Sequence, residues 1–182
     1  FTECGCVYNT FITDKLNLIY EKNIRKHSLY NNINILIKVA LKYLSEVDYT
    51  LTGNFIDLRT GIIYISLIGL NANEDERDYF KQLESNGNKY RENLINILKN
   101  KAIELNIDKK ISILYGGSVG IAIHPTEYSK VQIIEHLNIT EYNEIHYFGD
   151  KYLEDGNDYS LLNHKNIINI EDGKSNVATS GR

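Results

Sequence analysis

The feature that most constrains this 182-residue chain is a change of rhythm at its single proline, Pro125. Before it, short apolar runs come in pairs split by tight turns; after it, single runs alternate with short helical patterns. Paired strands build antiparallel sheets, whereas strands separated by helices build parallel ones. Two architectures are therefore expected in one chain, and the second is too short to be complete.

Residues 1–21 read as a hairpin, with Cys6-Val7-Tyr8 and Leu16 to Tyr20 flanking Thr13-Asp14 as turn material. A helix should follow, because Ile33, Leu36, Ile37, Ala40, Leu41 and Leu44 keep the i, i+3, i+4, i+7 spacing, and Ser28 is placed to cap it. Phe55–Arg59 and Ile62–Ile68 predict a second strand pair around Thr60-Gly61. Asn73, with Glu76 three residues on, predicts a capping box at the head of a second helix. A third helix is expected over residues 88–105, with a stripe of Tyr90, Leu94, Ile97, Leu98, Ala102 and Leu105. Ile111–Tyr115 and Gly120–His124 form a last pair around Gly116-Gly117-Ser118. That glycine pair reads as a hairpin turn, since no Gly-Lys-Ser/Thr follows to make a phosphate loop. Helix 130–137, strand 144–148, helix 159–163 and strand 166–170 complete the pattern.

Composition narrows the function. A net charge of −4 argues against a mainly electrostatic nucleic-acid binder. No apolar run approaches the roughly 20 residues of a membrane helix, so neither nucleic acid nor membrane is an expected partner. Cys4 and Cys6 lie too close in sequence for a usual structural disulfide, which fits a reducing, cytoplasmic setting. With His27 they lack a fourth ligand at zinc-finger spacing. The chain contains no methionine and opens directly into strand-like sequence, which predicts a preceding segment outside it.

Chemistry is expected where the strand ending at Phe148 meets Gly149-Asp150-Lys151-Tyr152-Leu153-Glu154-Asp155-Gly156-Asn157-Asp158. Ligands of open α/β sheets sit beyond the carboxyl ends of strands, and hard carboxylate oxygens there suit Mg²⁺. An acidic surface loop, with Asn157 or Asp158 capping the next helix, is the alternative.

That segment resembles the fourth motif of the haloacid dehalogenase superfamily, and the wider loop is similar to eukaryotic phosphomannomutases. Other pieces agree in order. Phe1-Thr2-Glu3-Cys4-Gly5 resembles the family's Phe-x-Glu-Asn-Gly, residues 55–61 its Phe-Ile-Glu-Phe-Arg-Asn-Gly, and Ser66-Leu67-Ile68-Gly69 its Ser-Pro-Ile-Gly. Glu74-Asp75-Glu76-Arg77 matches an acidic, arginine-ended helix start. Gly116-Gly117 through Pro125 to Lys130 follows the Gly-Gly…Pro…Lys stretch.

The resemblance implies an α/β fold: a partial haloacid dehalogenase-like Rossmannoid core with an α+β cap of antiparallel sheet backed by helices. Residues 1–23 would be a core hairpin, 24–127 the cap and 128–182 the C-terminal part of the core. It further implies a hexose-phosphate mutase that interconverts mannose 6-phosphate and mannose 1-phosphate, supplying GDP-mannose synthesis. Lys130 would contact the transferring phosphate, Asp150 would hold Mg²⁺, and Arg59 and Arg77 would grip the sugar's other phosphate. A hexose 1,6-bisphosphate activator and a homodimer formed through the cap follow from the same resemblance. The residues alone leave other roles open: Lys130 as a surface lysine, Arg59 as a solvated strand end, Arg77 paired with Asp75 or Glu74.

The sequence departs from the family where substrate should be held. Leu70 stands where the family has a third arginine, Gly120 and Ala122 where it has a serine and an aspartate. His164 and Ile167 replace an acid and a threonine of its second metal loop. Each lost charge-assisted hydrogen bond removes roughly 1.5–3 kcal/mol of binding unless another group compensates, and His124 or Asn71 would be the nearest substitutes. No Asp-x-Asp pair follows a hydrophobic strand, so the nucleophile is expected outside this chain and the chain alone should be inactive. The alternatives are a sugar-phosphate phosphatase of the same superfamily and an inactive homologue acting as a binding protein.

Overall fold

The computed structural model describes residues 1–137, 139–149, 153–154, 156 and 158–171. It opens with a 3-10 turn at Glu3–Gly5, so Cys4 lies in a turn rather than in a strand. The first hairpin follows: β1 (Val7–Ile12) pairs antiparallel with β2 (Lys15–Glu21). Its turn residues, Thr13 and Asp14, both have positive φ, the geometry that two-residue hairpin turns require.

Helix α1 (Tyr30–Leu44) buries Ile33, Leu36, Ala40 and Leu44, while Leu41 reaches the surface. Ser28 does not cap it. The N-cap position falls on Leu29, without a side-chain cap, and the backbone N–H of Leu29 donates to Nδ1 of His27 instead. At α2 (Glu74–Ser85) the expected capping box forms: Glu76 N–H donates to Asn73 Oδ1 at 2.9 Å, and Asn73 N–H donates to Glu76 Oε2 at 2.8 Å. Helix α3 (Tyr90–Glu104) buries Leu94, Ile95, Leu98 and Ala102. Ile97 is exposed and Ile95 takes its place, so the helix sits rotated from the predicted stripe.

The two later strand pairs merge into one antiparallel sheet. Strands β3 (Ile56–Leu58), β4 (Ile63–Ser66), β5 (Ile111–Gly116) and β6 (Gly120–Pro125) take the order β3-β4-β6-β5. The registers Ile65↔Ile121 and Ile113↔Ile123 put the isoleucines of the three inner and edge strands on one face. That face joins α1 and α3 in the hydrophobic core. The other face carries Tyr64, Ser112, Leu114, Gly120, Ala122 and His124, and it positions the site described below.

Beyond Pro125, α4 (Gln132–His136) leads to β7 (His146–Gly149), α5 (Tyr159–Leu162) and β8 (Ile168–Glu171). Strands β7 and β8 pair parallel, with α5 packed on them between the two in sequence. The change of architecture read at Pro125 is thus real. The N-terminal turn approaches the β3–β4 turn closely at Gly61, where a Cβ would lie 2.3 Å from Cys6 Sγ. Among the described residues, no helix is long and apolar enough to cross a membrane.

Candidate active site

A cavity of about 190 Å³ lies between the open sheet face and the segments around Lys130. Ser112, Leu114 and His124 line it from the sheet, Lys130 and Tyr159 from the opposite wall, and Cys4 from the N-terminal turn.

Lys130 is held there by a half-buried network rather than lying on the surface. Its ammonium pairs with the buried Asp158 and donates to the Tyr147 hydroxyl at 3.2 Å, which in turn donates to Asp158 Oδ1 at 2.8 Å. Burial opposes the charge on Lys130, but the hydrogen bond and attraction from Asp158 outweigh it, and the net pKa lies above the ordinary lysine value. Asp158 occupies the N-cap position of α5 without making a side-chain cap. Its carboxylate is spent on Lys130 and Tyr147, a role that helix-boundary spacing gave no means of reading.

Gln132 fixes the N-terminal turn against α4. Its amide donates to the Cys4 carbonyl at 2.8 Å and to Cys6 Sγ at 3.3 Å, and its oxygen accepts from Lys22 at 2.8 Å. Cys4 and Cys6 are free thiols. Burial pushes Cys6 up to about 11. It also raises Cys4, against the pull of Lys130 and, more weakly, of Arg59; the turn therefore lies within electrostatic reach of both cations.

The two expected phosphate-binding arginines are both engaged. Arg59 Nε donates to Asp57 Oδ2 at 2.6 Å, and the hydrogen bond to Asp57 keeps its pKa above the ordinary value. Its guanidinium lies 5.5 Å from the Tyr64 ring centroid. Arg77 pairs with neither Asp75 nor Glu74. It curls back to donate to the carbonyls of Ala72 at 3.0 Å and Leu70 at 3.1 Å. Its helix start is a poor anion site, because Glu74, Asp75 and Glu76 already crowd that first turn and Asn73 caps it.

Tyr64 lies beneath Arg59. Burial raises its pKa while Arg77, Arg59 and Arg91 draw it back down, so three guanidinium groups act on one phenol. Arg91 is pinned by Glu84 at 2.5 Å, and its Nη1 donates to the Gly117 carbonyl at 3.4 Å. Neither Tyr64 nor Arg91 stood out in the sequence, since only the strand register and the α2–α3 connection bring both to the Gly117 turn. The substitutes suggested by proximity in sequence are both engaged within the fold, although His124 also lines the cavity. His124 is buried, its Nδ1–H donating to the Pro125 carbonyl at 2.7 Å, and burial lowers its pKa. Asn71 is held by Asn54 at 3.0 Å.

Asp150, with Lys151, Asp155 and Asn157, lies outside the described residues. Among the described residues no three acidic, histidine or cysteine side chains converge as a metal site. With Asp158 committed to Lys130 and Tyr147, they do not by themselves fit Mg²⁺. His164 is occupied in a local turn, where its Nδ1 accepts from Asn166 N–H at 3.4 Å, and Ile167 N–H donates to the His164 carbonyl.

The fold is a mixed α/β arrangement with an antiparallel sheet facing a lysine-carboxylate network across a small cavity. Sequence comparison adds the family. The family described as PMM, eukaryotic phosphomannomutase, matches residues 1–176, and the chain belongs to that family. It is 32% identical over 152 residues to phosphomannomutase 1 of Dictyostelium discoideum, covering 83% of this chain and 59% of that protein. It is 29% identical over 152 residues to the phosphomannomutase of Solanum lycopersicum, covering 83% of this chain and 58% of the relative. Against the phosphomannomutase of Spinacia oleracea, identity is 35% over 127 residues, or 69% of this chain and 48% of the relative. The chain thus spans roughly half to three-fifths of the length of these relatives.

Proposed function

We propose that the chain is the cap and C-terminal core part of a phosphomannomutase-like enzyme that interconverts mannose 6-phosphate and mannose 1-phosphate. The phosphoryl group would be carried by an aspartate that is not among residues 1–182. The observation that carries this reading is the Lys130–Asp158–Tyr147 network on the wall of the cavity, with a second cation, Arg59, over Tyr64 on the cap sheet. A phosphosugar has a charged group at one end and, during the reaction, another at the transferring position. Two separated cationic sites match that shape.

In this reading Lys130, kept charged by Asp158, stabilises the transferring phosphoryl group, and Tyr147 keeps the pair oriented. Arg59 and Arg77 hold the second phosphate. Arg59 must then share its guanidinium between Asp57 and the ligand. Residues 24–127 act as the cap, and residues 1–23 with 128–182 as parts of a Rossmannoid core. The parallel β7–α5–β8 unit supports that division. Mg²⁺ dependence, with Asp150 among the ligands, and activation by a hexose 1,6-bisphosphate belong to the same proposal, as does a cytoplasmic role in GDP-mannose supply. A homodimer through the cap is supported by Ile35, Leu41, Ile97 and Ile103, which α1 and α3 leave exposed.

The test is a coupled assay on the protein that carries this chain. It receives mannose 1-phosphate, a hexose 1,6-bisphosphate and Mg²⁺, and mannose 6-phosphate is followed. Conversion should fall about 10²–10³-fold in Lys130→Ala and be lost with a chelator. Steady phosphate release without the bisphosphate would favour a phosphatase. Absence of both, with folded protein, would leave the binding-protein reading.

A further inference from the structure

The open face of the sheet solves its missing side chains in an unexpected way. A Cβ on Gly120 would lie 2.3 Å from both Cζ and Oη of Tyr64, and one on Gly116 would lie 2.9 Å from the same ring. The register pairs Tyr64 with Ala122 and Ser66 with Gly120, so the ring lies across the glycines from the neighbouring strand. The volume that a serine at position 120 would fill is therefore filled by the phenol of Tyr64. The hydroxyl ends beside the β5–β6 turn, 3.4 Å from where a Gly117 Cβ would stand. Arg91 reaches the same residue through its carbonyl. Arg59 covers the ring from the β3 side.

We propose that Tyr64 on this face and Arg91 at the adjoining β5–β6 turn complete an anion-binding end of the sheet. The Tyr64 hydroxyl donates to a phosphate ester where Leu70 offers no donor and Gly120 no side chain. The proposal rests on the phosphosugar reading and names the residues that restore its lost contacts. Tyr64 is half-buried and rigid, with two side-chain torsions, so its hydroxyl is ordered before ligand arrives. Arg91 is likewise positioned in advance, because Glu84 accepts from both its backbone N–H at 3.0 Å and its Nε at 2.5 Å. Its Nη1 points at the Gly117 carbonyl, and the guanidinium packs 5.1 Å from the Tyr115 ring centroid. Neither group would have to be ordered on binding, which offsets part of what the absent arginine would have contributed.

Titration of the 182-residue chain with mannose 1-phosphate, and separately with inorganic phosphate, by calorimetry and phosphorus NMR tests this. Tyr64→Phe keeps the ring over Gly120 and removes only the hydroxyl. It should weaken mannose 1-phosphate about tenfold, as expected for one lost hydrogen bond to a charged group. Arg91→Gln should weaken both ligands by a similar or larger factor. Thermal unfolding of each variant checks that the fold is retained. Wild-type affinity in Tyr64→Phe and Arg91→Gln, with affinity lost in Arg59→Ala and Arg77→Ala, would overturn this proposal and leave the phosphosugar reading standing. Binding that survives all four substitutions, or no binding by the wild-type chain at millimolar ligand, would overturn both.

Discussion

The two faces of one sheet follow different rules. On the helix side, β4, β5 and β6 present Ile63, Ile65, Ile111, Ile113, Ile121 and Ile123, all buried in the core with α1 and α3. On the open side the same strands alternate Tyr64, Ser66, Ser112, Leu114, Gly116, Gly120, Ala122 and His124. The first face needs only apolar volume, so one β-branched residue type repeated at every second position satisfies it. On the second face each residue is set by a particular neighbour. Gly116 and Gly120 yield to Tyr64, and His124 turns to the Pro125 carbonyl. Packing tolerates substitution by similar volume, whereas a shaped polar face does not.

Substitutions should expose that contrast most strongly on the core face. Ile123→Ala should lower stability by about 2–5 kcal/mol in denaturant unfolding, whereas Ile123→Val should cost about 0.5–1.5 kcal/mol. Equal effects from the two would mean that this face is not close-packed.

On the open face Gly120→Ser, which supplies the side chain that the resemblance leads one to expect, should destabilise by about 1–3 kcal/mol because Tyr64 already fills the space. In a Tyr64→Ala background the penalty should largely vanish, and a double-mutant cycle reads the coupling. Additive effects would break the claim that Tyr64 and Gly120 exclude each other's volume.

A smaller effect concerns pH. Burial depresses the folded-state pKa of His124 below its ordinary 6.5, so its neutral form is the folded one. The unfolded chain then takes up the proton first. This residue's contribution is present above pH 6.5 and is lost as pH falls through and below that value. The thermal midpoint of the wild type should drop more between pH 7.5 and pH 5 than that of His124→Leu. Identical slopes would show that His124 is not buried in its neutral form.

Smallest of all, Asp57→Asn should change stability by less than about 1 kcal/mol, since the Asp57–Arg59 pair is substantially exposed. The same variant frees Arg59 and should tighten phosphate binding. Weaker binding would mean that Asp57 orients Arg59 rather than competing for it.

Much of the fold was legible because it rests on local rules. The Asn73–Glu76 capping box, the Thr13-Asp14 turn and the hairpin at Gly116–Gly120 each depend on residues within a few positions of one another. The misreadings fell where another segment intervened. Ser28 lost its cap to His27, Ile97 gave way to Ile95 when α3 settled against α1 and the sheet, and Asp158 was drawn from a helix start to Lys130.

The candidate site divides in the same way. Lys130, Arg59 and Arg77 were named by the resemblance to the family's motifs, and what each touches could not be read at all. The residues alone determined the element types, the turn chemistry, the isoleucine face and the change of architecture at Pro125, because period and propensity act over a few residues. Only the tertiary structure decided that Asp158 and Tyr147 hold Lys130, that Gln132 ties down the Cys4 turn, and that Arg59 lies over the Tyr64 ring while Arg91 reaches the Gly117 turn beside it. Those partners are separated by many residues, and no local spacing encodes a contact that exists only after the sheet has assembled.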